Sequence, residues 1–139
     1  MFAAVTLTTS FTELVGCRVP LQLAGMGGAS SPELAEAVTN AGGLGMVSGL
    51  ADVDVDASPV GVNFLAPFLD RARVEEVATW ARLVEVFYGD PDRALVELIH
   101  AGGALAGWQV GSVDEAKAFA AARSAARDVW SRMASLGTA

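Results

Sequence analysis

The chain has 139 residues, 53% of them hydrophobic, with a mean hydropathy of +0.43. That is enough apolar side chain for one domain with a sizeable buried core, and it excludes a disordered chain. A formal net charge of −7, spread over mixed Asp, Glu and Arg, leaves no basic stripe for a phosphate backbone. It argues against nucleic acid as a partner and against binding to acidic membranes.

The first residues, Met1-Phe-Ala-Ala-Val-Thr-Leu-Thr-Thr-Ser10, lack the positive n-region of a signal peptide. Apolar stretches are broken by Gly, Ser, Asn or a charge well before the roughly 18 residues of a membrane span. Cys17 is the only cysteine and cannot form an internal disulfide, so the expected compartment is the cytoplasm. Only Arg18 stands near enough in sequence to lower its pKa, and Cys17 is read as a small buried or half-buried hydrophobe.

Apolar runs of strand length then recur with helical segments between them, the alternation of a parallel α/β sheet built from βα units. Five strands are expected: Pro20 to Ala24, Gly45 to Ser48, Val60 to Phe64, Leu83 to Phe87 and Ala104 to Val110. All are short and nearly continuously apolar, as strands covered on both faces are. After the first, Ser31 caps a helix that Pro32 opens, with Leu34, Ala37, Val38 and Ala41 as its apolar stripe and Gly42 and Gly43 as its end. The segment from Leu50 to Ser58 alternates acids with small apolar residues and reads as a solvated loop, since a calcium loop also needs a central Gly and a distal Glu.

Between the third and fourth strands, Val74, Val77, Ala78 and Ala81 form a weaker stripe. Beyond the fourth, Asp90 caps, Pro91 opens, Leu95, Leu98 and Ile99 face inward and Gly102 terminates. In the last unit Ser112 and Glu115 make a capping box ahead of Val113, Ala116, Phe119 and Ala120. From Arg123 onward, Ala126, Val129, Trp130 and Met133 at helical spacing predict a prolonged helix, with Trp130 and Met133 as packing residues.

In a parallel α/β sheet the ligand lies at the C-terminal ends of the strands. Four places qualify. Ala24 to Gly28 is a glycine-rich turn whose backbone N–H groups can approach a ring or a phosphate closely, or which needs glycine only for its dihedrals. Asn63 is a polar amide that closes an apolar strand and needs a partner, whether a ligand or a strand-end group. Ser48 and Gly49 end the second strand. Gln109, beside Trp108, either points into the barrel mouth or satisfies neighbouring backbone. His100 lies at a helix C-terminus, where interaction with the helix dipole explains it better than catalysis. A dinucleotide turn does not fit, because the third glycine of G-x-G-x-x-G would fall at Ser30 and no acidic residue closes a second strand at the required distance.

Gln22-Leu-Ala-Gly-Met-Gly-Gly28, between Val19-Pro-Leu21 and Ala29-Ser-Ser-Pro-Glu-Leu34, resembles the first βα unit of the nitronate monooxygenase family of FMN-dependent TIM barrels. The family usually has Pro where this chain has Gly25. The resemblance continues through Asn40-Ala-Gly-Gly-Leu-Gly45, Gly61-Val-Asn-Phe-Leu65 and the stretch from Phe87-Tyr-Gly-Asp-Pro91 to Gly107-Trp-Gln-Val-Gly-Ser112. It covers residues 12–122, and the tail 123–139 diverges from it.

The resemblance implies an α/β fold: one domain, a partial TIM (β/α) barrel of about five parallel βα units, corresponding to the N-terminal portion of the family's barrel. It implies FMN as cofactor, with Ala24, Gly25 and Met26 against the flavin ring, Gly27 and Gly28 shaping the turn beneath it, and Asn63 touching the flavin. The implied activity is oxidation of alkyl nitronates with O2. The family's catalytic histidine follows a later strand in a Glu-Ala-Gly-Gly-His segment that does not occur here, so no catalytic residue is assigned. The phosphate-gripping loops likewise follow the last strands of the complete barrel. Impaired activity is therefore expected, with self-association through open sheet edges. The alternative is a non-catalytic half barrel that pairs with itself or with another chain. An enoyl-thioester reductase of the same flavin barrels would need NAD(P)H, and nothing here selects it.

Overall fold

The computed structural model describes residues 6–50 and 57–122. The expectations for most of the acidic segment after Leu50, and for the tail with Trp130 and Met133, lie outside those residues.

Four of the expected apolar runs form strands: β1 (Gly45–Ser48), β2 (Val60–Leu65), β3 (Leu83–Phe87) and β4 (Leu105–Trp108). They make one parallel sheet in the order β1-β2-β3-β4, the arrangement of successive βα units in a partial (β/α) barrel. The run Pro20 to Ala24 does not become a fifth strand. It makes a single parallel bridge, Gln22 to Leu44, at the outer side of β1. Beyond it the chain turns into the glycine-rich loop, where the Ala24 carbonyl accepts from the Ser30 hydroxyl at 2.9 Å.

Helices α2 (Pro32–Ala41), α3 (Arg71–Ala78), α4 (Arg93–Gly102) and α5 (Val113–Ala122) follow the Gln22 segment, β2, β3 and β4. Ser31 caps α2 as expected, and Gly42, with φ 106°, ends it. Its buried face differs from the expected stripe. Ala35 and Thr39 are buried, Val38 is half-buried, and Leu34, Ala37 and Ala41 are exposed. The reason is close packing: a Cβ on Gly45 would run into the Ala35 carbonyl, so β1 accepts only the small side of the helix. Thr39 Oγ1 then accepts from Gly45 N–H at 3.1 Å and donates to the Pro59 carbonyl at 3.0 Å, joining α2 to both strands.

In α3, Val74, Val77, Ala78 and the following Ala81 are all buried, as their spacing predicts. For α4 the cap moves to Asp92, whose carboxylate accepts from the N–H groups of Ala94 and Leu95, while Asp90 and Pro91 remain in the preceding turn. That turn is sharp, with Tyr88 at φ 59° and Gly89 at φ 115°, and the chain cannot start a helix until it has passed. Leu95, Val96 and Ile99 form the buried face, with Leu98 only partly buried. At α5, Ser112 Oγ accepts from Glu115 N–H at 3.1 Å, but the Glu115 carboxylate reaches Gly111 N–H instead of closing the box on Ser112. Phe119 packs on Trp108, ring centroids 6.1 Å apart, and is the buried anchor. Val113 and Ala120 are exposed and Ala116 is half-buried, because the helix meets the sheet only at its edge strand.

A further helix, α1 (Ser10–Val15), was not signalled by hydrophobic periodicity. Thr9 and Thr12 cap it reciprocally, and Gly16, with φ 84°, ends it. The Arg82 guanidinium donates to the Val15 and Leu14 carbonyls and fixes this helix to the start of β3.

The sheet therefore has two covered faces. Val47, Val62, Phe64, Val84, Val86, Ala106 and Trp108 meet the helices α2 to α5. On the other face, Met46, Leu83 and the partly buried Leu105 pack with Leu44, Val15, Cys17 and Phe11 over α1. Cys17 is buried, as expected, and its thiol donates to the Val19 carbonyl at 3.1 Å. No helix among the described residues is long and apolar enough to cross a membrane.

Candidate functional site

Strand register stacks the inner face in rungs. Met46, Gly61, Leu83 and Leu105 form the lower, apolar rung above α1, and Ser48, Asn63, Glu85 and Gly107 form the next, nearer the C-terminal strand ends. Side chains alternate across a strand, so this second rung presents a serine, an amide, a carboxyl and a bare glycine to the barrel interior.

Glu85 was not singled out by its sequence context, Leu83-Val-Glu-Val-Phe87, where it reads as one acid in an apolar run. It is 1% exposed. Its Oε2 accepts from Asn63 Nδ2 at 2.9 Å and its Oε1 from Gln22 Nε2 at 3.0 Å. Burial pushes the Glu85 carboxyl above its ordinary range, against the opposing pull of the Asn63 and Gln22 donors. On a flat sheet the Gln22 segment and β3 would stand about 14 Å apart, three strand spacings, which is more than a Gln and a Glu span. The hydrogen bond exists because the sheet curls around this interior.

The glycine-rich loop closes over the same place. A Cβ on Gly25 would stand 2.5 Å from Asn63 Cγ, so the loop rests directly on the amide. Ser30 holds that geometry: its buried hydroxyl accepts from Met26 N–H at 2.8 Å and donates to the Ala24 carbonyl. Ser30 is the second residue that sequence reasoning missed; there it counted only as a failed dinucleotide glycine. Gly27 adopts φ 53° in the short 3-10 turn Gly27–Ala29, the left-handed conformation that favours glycine, whereas Gly28 has open space around it. Ala24, Met26, Gly27 and Gly28 are exposed.

Of the other expected positions, Ser48 is the register partner of Asn63, and its hydroxyl accepts from Leu50 N–H at 3.3 Å. Gly49 N–H donates to the Asn63 carbonyl at 2.8 Å. Gln109 continues the ladder through its own N–H to the Val86 carbonyl and is half-buried. His100 sits in the last turn of α4, within the helix layer and apart from the rung. A separate cleft of about 570 Å3, lined by Ala66, Leu69, Arg71, Tyr88, Asp92 and Trp108, opens on the helix side of the sheet and does not include the glycine loop.

A curled parallel sheet with helix connections, a plugged lower end and a glycine loop over a polar rung at the C-terminal strand ends is a portion of a (β/α) barrel. Residues 8–58 match the family model described as nitronate monooxygenase. A dehydrogenase of Rhodococcus jostii (strain RHA1) acting on a 5-hydroxy-7a-methyl-1-oxo-octahydro-1H-indene-4-carboxyl-CoA is 29% identical over 125 residues, covering 81% of this chain and 35% of that protein. The structure of FabK from Thermotoga maritima superimposes with a TM-score of 0.69 at 24% identity, covering 84% of this chain and 42% of that one. Nitroalkane oxidase from Streptomyces ansochromogenes gives 0.60 at 23% identity, covering 82% and 46%. These two likenesses carry the fold. The chain spans less than half the length of each of these relatives.

Proposed function

We propose that this chain is the ring-binding part of an FMN-dependent oxidoreductase of the nitronate monooxygenase type, which oxidises alkyl nitronates with O2. The observation that carries the reading is the seating of Gly25 on Asn63 at the open end of the curled sheet. A loop with glycines at 25, 27 and 28 over a buried amide is a surface on which a planar ring can lie, and its residues fit a flavin. Ala24, Gly25, Met26 and Gly27 would hold one face and edge of the ring and Asn63 would meet its polar edge. Ser30 keeps the loop in place. When bound, the flavin supplies the redox step, accepting electrons from the substrate carbanion. The chain's own contribution is to orient the ring and to exclude water from its lower side through the rung of Met46, Leu83 and Leu105. A cytoplasmic location accompanies this reading.

The test is a visible spectrum of the purified chain with and without added FMN, followed by oxygen uptake on adding an alkyl nitronate. A flavin band that survives gel filtration supports the reading. A colourless protein that takes up no FMN overturns it.

A second reading is a non-catalytic half barrel that self-associates or pairs with another chain. It is favoured by β4, which among the described residues pairs only with β3 and leaves one edge open. Sedimentation decides it: a concentration-independent monomer that melts reversibly counts against it.

A further inference from the structure

Among the described residues Glu85 is the only acidic or basic side chain that is buried, and the reading above gives it no task. An ionisable group inside an apolar run is costly to keep unless every polar atom is satisfied or the group is neutral. Here both oxygens are used, one on each of two amides.

That arrangement has a directional consequence. An amide donates at one end and accepts at the other. Glu85 takes the donor end of Asn63, so the acceptor end, Oδ1, is turned to the glycine loop, 2.8 Å from where a Cβ on Gly25 would be. Glu85 also takes the donor end of Gln22, and Gln22 Oε1 is left buried with no hydrogen-bond partner among the described residues. A single carboxyl thus turns two amides the same way, with their oxygens directed away from it.

We infer that Glu85 is a positioning residue that locks the Asn63 amide with its oxygen toward the Gly25 loop, so that the site offers a hydrogen-bond acceptor to the N–H edge of a planar heterocycle. The identity of that heterocycle as a flavin rests on the function proposed above; the locking of the amide does not. The groups that face Glu85 are uncharged. They are the Gln22 amide from the first segment, the Asn63 amide from β2 and Gly107, without a side chain, from β4; Leu83 and Phe87 flank it on its own strand.

Replacing the carboxyl by an apolar chain of similar size removes both acceptors and leaves the Asn63 amide free to turn over. The probes are FMN and lumiflavin, the ring alone, titrated by flavin fluorescence into wild type and Glu85→Leu. Alongside, the side-chain NH2 resonances of Asn63 are followed by NMR from acid to alkaline pH without flavin. The expected result is about tenfold weaker binding of both flavins by Glu85→Leu, the worth of roughly one hydrogen bond. Wild-type Asn63 NH2 signals should also move with pH. Equal flavin binding by the two proteins, or Asn63 signals indifferent to pH, overturns the inference. Wild type that binds neither flavin overturns the flavin reading, while the NMR titration still decides the locking. If Glu85→Leu does not fold, the wild-type titration decides alone.

Discussion

A Cβ added to Gly25 would stand 2.5 Å from Asn63 Cγ and 2.7 Å from its Cβ, so the loop after the first segment and the strand β2 meet where only a hydrogen atom fits.

Gly25→Ala should therefore cost about 1–3 kcal/mol, the range for forcing extra carbon into a packed site. Urea denaturation measures it. Unchanged stability would mean that Asn63 moves aside freely and that the loop does not depend on it.

Ser30→Ala removes one acceptor and one donor from the loop, at Met26 N–H and the Ala24 carbonyl. Two ordinary hydrogen bonds are worth about 1 kcal/mol each. The Met26 amide should exchange its hydrogen faster in Ser30→Ala, with the amides in the middle of α2 unaffected. Equal exchange at Met26 in both proteins would show that the loop is held by something other than Ser30.

Glu85 makes stability depend on pH. Its carboxyl titrates higher in the folded chain than its reference value of 4.5, because burial disfavours the charged form. The folded state thus binds the proton more tightly than the unfolded one. The contribution is fully present below the unfolded pKa and is lost as pH rises from there through the folded pKa. Denaturation midpoints of wild type should fall across that window, and those of Glu85→Gln should fall less. Parallel pH profiles would mean that the carboxyl is not buried.

Cys17 should react slowly with a thiol reagent in the folded protein. Burial raises its pKa and keeps the nucleophilic thiolate scarce, with backbone hydrogen bonds opposing only in part. Labelling should become fast on adding denaturant. Fast labelling without denaturant would place the thiol at the surface, outside the cluster of Val15, Leu44, Met46 and Leu83.

Leu83 is fully buried between α1 and the sheet, in the rung beneath Glu85. Leu83→Ala should cost about 2–5 kcal/mol, as deletions of buried leucine do. A loss below 1 kcal/mol in thermal or chemical unfolding would show that α1 does not close this end of the sheet.

Local signals in the sequence determined most of the architecture. Apolar runs bounded by Gly, Pro and capping residues are short-range statements, and β1 to β4, the Ser31 cap and the inward face of α3 follow from them directly. The parallel class follows from strands that are apolar on both faces. The candidate residues at strand ends, Ala24 to Gly28 and Asn63, were legible for the same reason: glycine and a lone amide stand out against an apolar run.

What only the tertiary structure decided depends on partners far apart in the chain. Whether Pro20 to Ala24 extends a ladder, which side of α2 packs on Gly45, and where α4 begins after the Tyr88 turn are settled by close approach between elements, which periodicity does not encode. The site is the clearest case. Glu85 and Gln22 are 63 residues apart and meet only because the sheet curls. Within its own strand, Glu85 is one polar residue among valines. Its role arises from burial and from two amides delivered by other segments, so no pattern local to Leu83–Phe87 could have announced it.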